Sequence, residues 1–131
     1  MILNNTQSIE SPSLDKLPKF SPKLKLCVLA SGNGSNFEAL AKSIVNSDLD
    51  ANINCLIVNN PNSLSLKKAE KYSIPSLVIN HKEYISREEY DKKLIEELEK
   101  YEPEIVVMAG WMRIVTTTLI NHYKNRLINI H

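Results

Sequence analysis

The chain has 131 residues, with 16 lysine and arginine residues against 15 aspartate and glutamate residues, a formal net charge of +1. This length fits one small domain, and the balanced charge argues against a nucleic-acid or acidic-membrane partner. No apolar run approaches the roughly 20 residues of a membrane span. Cys27 and Cys55 lie in apolar runs whose spacing fits neither a zinc site nor a disulfide framework. We therefore expect a cytoplasmic protein with buried, reduced thiols and no metal, which acts on small molecules.

Residues 1–22 differ in composition from the rest of the chain. They contain three of the six prolines, no glycine and no apolar periodicity. They also lack the apolar core of a secretory signal and the arginines of a transit peptide. We expect a flexible leader at residues 1–22 and a folded region at residues 23–131.

From residue 24 onward, short apolar runs alternate with segments of helical periodicity. This alternation is typical of strands joined by crossover helices. It predicts an α/β fold, a doubly wound, Rossmann-like and mostly parallel sheet with helices on both faces. The predicted strands are residues 24–30, 53–58, 76–79, 105–109 and 127–130.

Four helices are predicted between these strands. The first begins near Ser35 and carries apolar residues three and four positions apart. Ser63 is a candidate cap for a short second helix. The third begins with an S-x-x-E capping box at Ser86, carries its apolar stripe as far as Tyr101 and ends before Pro103. A short fourth helix is expected at about residues 117–123.

Ligands of doubly wound sheets bind at the carboxyl ends of the strands, where the strand order reverses. The loop at residues 31–36 follows the first strand and contains Gly32 and Gly34 before a helix begins. Such a loop favours anion binding, although a tight turn with an Asx or serine cap explains it equally well. Phe37 replaces the third glycine of a dinucleotide fingerprint and no Gly-Lys-Ser/Thr triplet occurs, which leaves a monophosphate site.

Two further loops lie at the same predicted edge. Trp111, Met112 and Arg113 follow the fourth strand and suggest a pocket for a flat ligand. The alternative is that Trp111 packs on a neighbouring helix and Arg113 is solvated. Asn129 and His131 alternate onto one side of the last strand. An amide donor beside an imidazole suits acyl-type transfer, while ordinary surface residues are the simpler alternative.

Four segments, taken together and in order, resemble the phosphoribosylglycinamide formyltransferase family of purine (IMP) biosynthesis. They are residues 31–36, 86–88, 109–114 and 127–131, within a match from about residue 24 to residue 131. The resemblance implies transfer of a formyl group from 10-formyltetrahydrofolate to the amine of glycinamide ribonucleotide. The residues that it implies are Gly34, Ser35 and Asn36 for the phosphate-bearing substrate, Arg87, Met112, Arg113, Ile114, Val115 and Asn129 for the folate, and Asn129 and His131 for catalysis.

The resemblance also leaves alternatives open. In the family, an aspartate further along the chain fixes the catalytic histidine, and this sequence ends at His131. We therefore expect the N-terminal portion of the formyltransferase fold, with little activity alone. A non-catalytic phosphate- and folate-binding fragment is one alternative, and a formyltetrahydrofolate deformylase or methionyl-tRNA formyltransferase is another. Residues 32–36 favour the nucleotide substrate, and the lack of a basic face argues against tRNA.

Overall fold

A computed structural model describes residues 23–130, so the predicted leader at residues 1–22 and His131 lie outside the described residues. The strands are β1 (Leu24–Ala30), β2 (Ala51–Val58), β3 (Ser76–Val78), β4 (Ile105–Ala109) and β5 (Leu127–Ile130). The helices are α1 (Ser35–Val45), α2 (Ser65–Lys71), α3 (Arg87–Glu99) and α4 (Thr117–His122), with a 3-10 turn at His81–Glu83.

The strands form one sheet in the order β3-β2-β1-β4-β5. Every neighbouring pair is parallel, which confirms the predicted α/β class and makes the described sheet wholly rather than mostly parallel. The strand order reverses at β1, which pairs with β2 on one side and with β4 on the other. The loops that follow β1 and β4 are therefore neighbours at the carboxyl edge of the sheet.

Helices cover both faces of the sheet, as predicted, because successive side chains of each strand point to opposite faces. On one face α1 and α2 bury Phe37, Ala41 and Ala69 against the sheet. On the other face α3, α4 and the residue that follows α4 bury Tyr90, Leu94, Leu98, Leu119 and Tyr123. A buried strand between two helical layers explains the nearly continuous apolar sequence of β1.

The two cysteines lie on the α3 side of the sheet. Cys27 of β1 and Cys55 of β2 are register partners, and both are free and fully buried. This confirms the expectation that they are buried packing residues. Among residues 23–130, none of the helices combines the length and the apolar character needed to cross a bilayer.

Some element bounds differ from those expected. β2 begins at Ala51, two residues early, because Leu24 of β1 pairs with Ala51 although the local sequence is not apolar. α3 ends at Glu99 rather than Tyr101, and Glu102 then adopts a left-handed φ of 49°. α2 begins at Ser65, so Ser63 lies outside the helix although its hydroxyl accepts a hydrogen bond from the Ser65 N–H. β3 and α4 are each one residue shorter than expected, since they end at Val78 and His122.

Candidate functional site

The loops after β1 and β4 line a cleft of about 380 Å³ at the point where the strand order reverses. This volume falls within the range of small-molecule sites. The backbone of the first loop forms one wall, and the end of β4 with the residues after it forms the other. The lining residues are Gly32, Asn33, Gly34, Ser35, Asn36, Ala109, Gly110 and Met112.

Gly34 is the position at which the first loop becomes α1. Its φ is 79°, a left-handed conformation that glycine adopts without strain, and its carbonyl accepts the Glu38 N–H at 2.8 Å. The Asn33 side chain accepts the Ser35 N–H at 2.9 Å, so the Asx turn that the sequence left open is present. The first turn of α1 also presents N–H groups that have no carbonyl in a preceding turn. The turn and an anion site are therefore compatible.

Close packing explains why position 34 requires glycine. A Cβ atom added to Gly34 would lie 2.6 Å from Ser65 Oγ and 3.0 Å from Ser65 Cα. A Cβ atom added to Gly32 would meet nothing within 4 Å. Only the second glycine of the loop is fixed by a neighbour, and that neighbour is the start of α2.

Ser31 joins the two loops of the cleft. Its N–H donates to Gly110 O at 3.2 Å, and its hydroxyl accepts the Met112 N–H at 2.8 Å. The residue is 8% exposed, so both bonds are shielded from water. The sequence analysis did not identify this role of Ser31. The feature of the sequence that points to it is a serine at the first position after a buried strand.

The residues after β4 do not all face the cleft. Trp111 is half-buried, with its ring centroid 6.2 Å from that of Tyr90 on α3, so it packs on a helix as the alternative interpretation expected. Within the described part of the chain its buried Nε1 has no hydrogen-bond partner. Met112 lines the cleft and is 78% exposed. Of the two large apolar residues expected in a ligand pocket, only Met112 lies there.

Arg113 is neither freely solvated nor buried in the cleft. Its guanidinium carbon lies 4.5 Å from the centroid of the Tyr90 ring, a cation–π contact. Arg87 is the first residue of α3 and lies one turn before Tyr90 on the same side of the helix. Both predicted folate arginines therefore lie near the amino end of α3. Ile114 is exposed, and Val115 packs partly against the core on the α3 side.

A buried carboxylate on α3 holds the end of the segment between β4 and α4. Asp91 of α3 is 3% exposed and accepts two hydrogen bonds of 2.8 Å from Thr116, one from the backbone N–H and one from the hydroxyl. Thr116 is the residue that caps α4. Sequence reasoning missed Asp91, although it shares the apolar stripe of α3 with Leu94 and Leu98. An acidic residue on a buried face requires such a partner.

Asn129 lies near the carboxyl end of β5, opposite Met108 of β4, and is exposed. This register brings Asn129 to the same edge as the cleft. Since His131 is outside the described residues, the proximity of the two side chains stays a prediction. Among residues 23–130, no group of three or more His, Cys, Asp or Glu side chains is arranged to hold a metal ion.

Comparison with known proteins extends these observations. The family model described as formyl transferase matches residues 24–131. Phosphoribosylglycinamide formyltransferase of Bacillus subtilis is 36% identical over 107 residues, which cover 82% of this chain and 55% of that protein. The Escherichia coli protein of the same name is 34% identical, over 82% of this chain and 51% of its own length. The human trifunctional purine biosynthetic protein adenosine-3 is 38% identical, over 83% of this chain and 11% of its own length.

Solved structures give the same assignment. Phosphoribosylglycinamide formyltransferase of Coxiella burnetii has a TM-score of 0.78 and 35% identity, over 83% of this chain and 51% of its own. Glycinamide ribonucleotide transformylase 1 of Symbiobacterium toebii has a TM-score of 0.81 and 26% identity, over 93% of this chain and 57% of its own. The chain spans about half the length of these single-function relatives. Because the family model covers most of the sequence, the chain belongs to the formyl transferase family.

Proposed function

We propose that the chain contributes to the transfer of a formyl group from 10-formyltetrahydrofolate to the amine of glycinamide ribonucleotide, in purine biosynthesis. The observation that carries this proposal is the cleft at the strand-order reversal, where an anion-compatible loop faces the residues after β4. The names of the bacterial relatives support the same reaction. The activity belongs to the cytoplasm, where two free buried thiols remain reduced.

The two ligands have separate places in this proposal. Gly34, Ser35 and Asn36 bind the phosphate of the nucleotide at the start of α1, through the Gly34 and Asn36 N–H groups and the Ser35 hydroxyl, because the Ser35 N–H already donates to Asn33 Oδ1. The folate lies against the exposed side chains after β4, and the two arginines near the start of α3 attract its carboxylates. The folate-binding residues are Arg87, Met112, Arg113, Ile114, Val115 and Asn129.

The chemistry requires one acyl transfer without a covalent enzyme intermediate. The neutral amine attacks the formyl carbon, which gives a tetrahedral species with a negative oxygen and a positive nitrogen. The Asn129 amide donates a hydrogen bond to that oxygen, a contact worth about 10²–10³ in rate. His131, or a water molecule, carries the proton from the attacking nitrogen to the folate nitrogen as the carbon–nitrogen bond to the folate breaks. The products are the formylated nucleotide and tetrahydrofolate.

Calorimetry on the 131-residue chain tests the binding half of the proposal. Glycinamide ribonucleotide and a non-reactive folate analogue are titrated separately, with the unphosphorylated glycinamide riboside as the matched control ligand. We expect both the nucleotide and the folate analogue to bind, and the riboside to bind at least tenfold more weakly, since it lacks the phosphate. Equal affinity for nucleotide and riboside would contradict the assignment of residues 34–36.

A transfer assay tests the catalytic half. Labelled formyl donor and nucleotide are incubated with the chain, and formylated nucleotide is measured. Transfer that requires Asn129 supports the proposed chemistry. Binding of both ligands without any transfer supports a phosphate- and folate-binding fragment instead, and binding of neither ligand rejects the proposed function.

A further inference from the structure

The segment that leads into α2 packs against the back of the loop at residues 31–36. Ser63 Oγ donates to the Gly32 carbonyl at 2.8 Å, and Ser65 Oγ donates to the same oxygen at 3.4 Å. Ser63 Oγ also accepts the Ser65 N–H at 3.2 Å. The two serines are 7% and 0% exposed, so water does not compete for these hydrogen bonds.

This contact determines which way the Gly32 peptide points. Gly32 has no side chain, and the space where a Cβ would lie is open, so side-chain packing does not fix its orientation. In a trans peptide the carbonyl and the following N–H point in opposite directions. Since the Gly32 carbonyl points toward α2, the Asn33 N–H points away from α2. A carbonyl oxygen that would repel an anion is therefore held on the back of the loop.

Ser65 also packs directly against the backbone of Gly34. Its hydroxyl lies directly under Gly34, where an added Cβ would come within 2.6 Å. Both serines therefore bind the Gly32 carbonyl, and Ser65 alone also packs closely against Gly34. Neither serine lines the cleft itself.

We propose that Ser63 and Ser65 are positioning residues for the anion-binding loop. Their hydroxyls hold the Gly32 carbonyl against α2, so that the N–H groups after Gly32 stay oriented for a phosphate monoester. The nature of the anion rests on the proposed function, whereas the orientation of the loop rests on the hydrogen bonds alone. The experiment below separates these two parts.

Four variants of the full chain test the proposal. Ser63→Ala and Ser65→Ala remove one hydroxyl each, and Ser63→Thr retains the hydroxyl. Ser43→Ala is the matched control, because Ser43 Oγ donates to a carbonyl within α1, Ala39 O at 3.1 Å. Affinity is measured by calorimetry with ribose 5-phosphate and with a folate analogue.

We expect Ser63→Ala to weaken ribose 5-phosphate binding about tenfold, the effect of losing one well-formed hydrogen bond. Ser65→Ala has a smaller effect of about threefold because its bond is longer. Ser63→Thr restores the affinity and Ser43→Ala leaves it unchanged. Folate affinity stays constant in all four variants. Equal losses for both ligands would show general destabilisation and overturn the proposal.

A second measurement, made without ligand, tests the orientation of the loop independently of phosphate binding. Amide chemical shifts and hydrogen exchange are compared for Asn33 and Gly34 in the same variants. We expect both serine-to-alanine changes to shift these resonances and speed their exchange, with no effect of Ser43→Ala. Unchanged resonances in Ser63→Ala overturn the proposal. Shifted resonances in a parent chain that binds no ribose 5-phosphate retain the positioning role and reject the phosphate function.

Discussion

The Ser31 hydroxyl accepts the Met112 N–H at 2.8 Å and thereby joins the loop after β1 to the loop after β4. The Ser31 N–H and the Gly110 carbonyl form a second link at 3.2 Å. The loop proposed to bind phosphate and the loop proposed to bind folate, which form the two walls of the cleft, are therefore joined directly to each other. These two hydrogen bonds limit how far the loops, and with them the two ligands, can move apart, as a reaction between the ligands requires.

Alanine substitutions at the three glycines separate backbone strain from steric overlap. Gly34→Ala meets both a left-handed φ and the Ser65 side chain, so we expect a loss of about 2–4 kcal/mol in the free energy of unfolding. At Gly110 an added Cβ would have no close neighbour, so Gly110→Ala suffers only from the left-handed φ of 76°. We expect it to lower the free energy of unfolding by about 1 kcal/mol. Gly32→Ala stays within about 0.5 kcal/mol. Denaturant unfolding measures all three, and equal losses at positions 34 and 110 would contradict the contact with Ser65.

The buried Asp91 carboxylate should contribute more to stability than the half-buried Glu88 carboxylate of the same helix. Asp91→Ala leaves the Thr116 N–H and hydroxyl without their acceptor, and we expect a loss of about 2–3 kcal/mol. The control is Glu88→Ala, whose half-buried contact with Thr118 costs less than about 1 kcal/mol. A double-mutant cycle between Asp91→Ala and Thr116→Val measures the coupling of the pair. A coupling energy near zero would be inconsistent with this anchor.

The thiols of Cys27 and Cys55 should resist alkylation in the native protein. Burial, followed in importance by the neighbouring Cys55 thiol, raises the pKa of Cys27 to about 12, and burial raises the pKa of Cys55 to about 11. We expect no reaction with a thiol reagent at pH 8 until denaturant is added, since the thiolate is the reactive form. Rapid labelling of the folded chain would contradict this expectation.

The same pKa shifts predict how stability depends on pH. Because the folded pKa values exceed those of the unfolded thiols, this contribution is complete below about pH 8.5 and is lost as the pH rises toward 11 to 12. Replacing both cysteines by alanine should flatten the decline in unfolding free energy between pH 9 and 11. If the unfolding free energy of the double variant declined with pH as steeply as that of the parent chain, other titrating groups would cause the decline.

Arg113 is expected to contribute to folate binding and not to phosphate binding. Arg113→Ala should weaken binding of a folate analogue about tenfold, with an intermediate effect for Arg113→Lys, which keeps the charge and loses the planar stacking. Tyr90→Phe keeps the ring beneath the guanidinium and removes the hydroxyl that donates to Ile79 O at 2.8 Å. It should cost about 1 kcal/mol of stability without changing folate affinity. Calorimetry with both ligands distinguishes these effects.

Asn129 is expected to affect rate and not affinity for the nucleotide. Asn129→Ala should lower formyl transfer by about 10²–10³, because the tetrahedral oxygen loses a hydrogen-bond donor. Asn121→Ala is the matched control, an exposed amide on α4. Single-turnover transfer with a labelled formyl donor gives the rate, and calorimetry gives the affinity. A variant with the parent rate would remove Asn129 from the proposed chemistry.

Much of the fold follows from local sequence patterns. Alternation of apolar runs and helical stripes indicated five strands and four helices, and the capping box at Ser86 fixed the start of α3 to the residue. The predicted bounds differ from the observed ones where pairing with another strand, and not local apolarity, extends an element, as at Ala51. The sequence could not show that Trp111 packs on α3, because an aromatic residue after a strand suits either a pocket or a core.

The sequence by itself determined the fold class, the family resemblance and the loops that form the candidate site, because these depend on periodicity and on motifs within short segments. Only the tertiary structure decided how those loops are held. Ser31, Ser63, Ser65 and Asp91 act across 25 to 81 positions of sequence, through hydrogen bonds that form only when the strands pair and the helices pack. A single buried hydroxyl or carboxylate carries no local pattern, and its partner becomes identifiable only when the fold brings the two together.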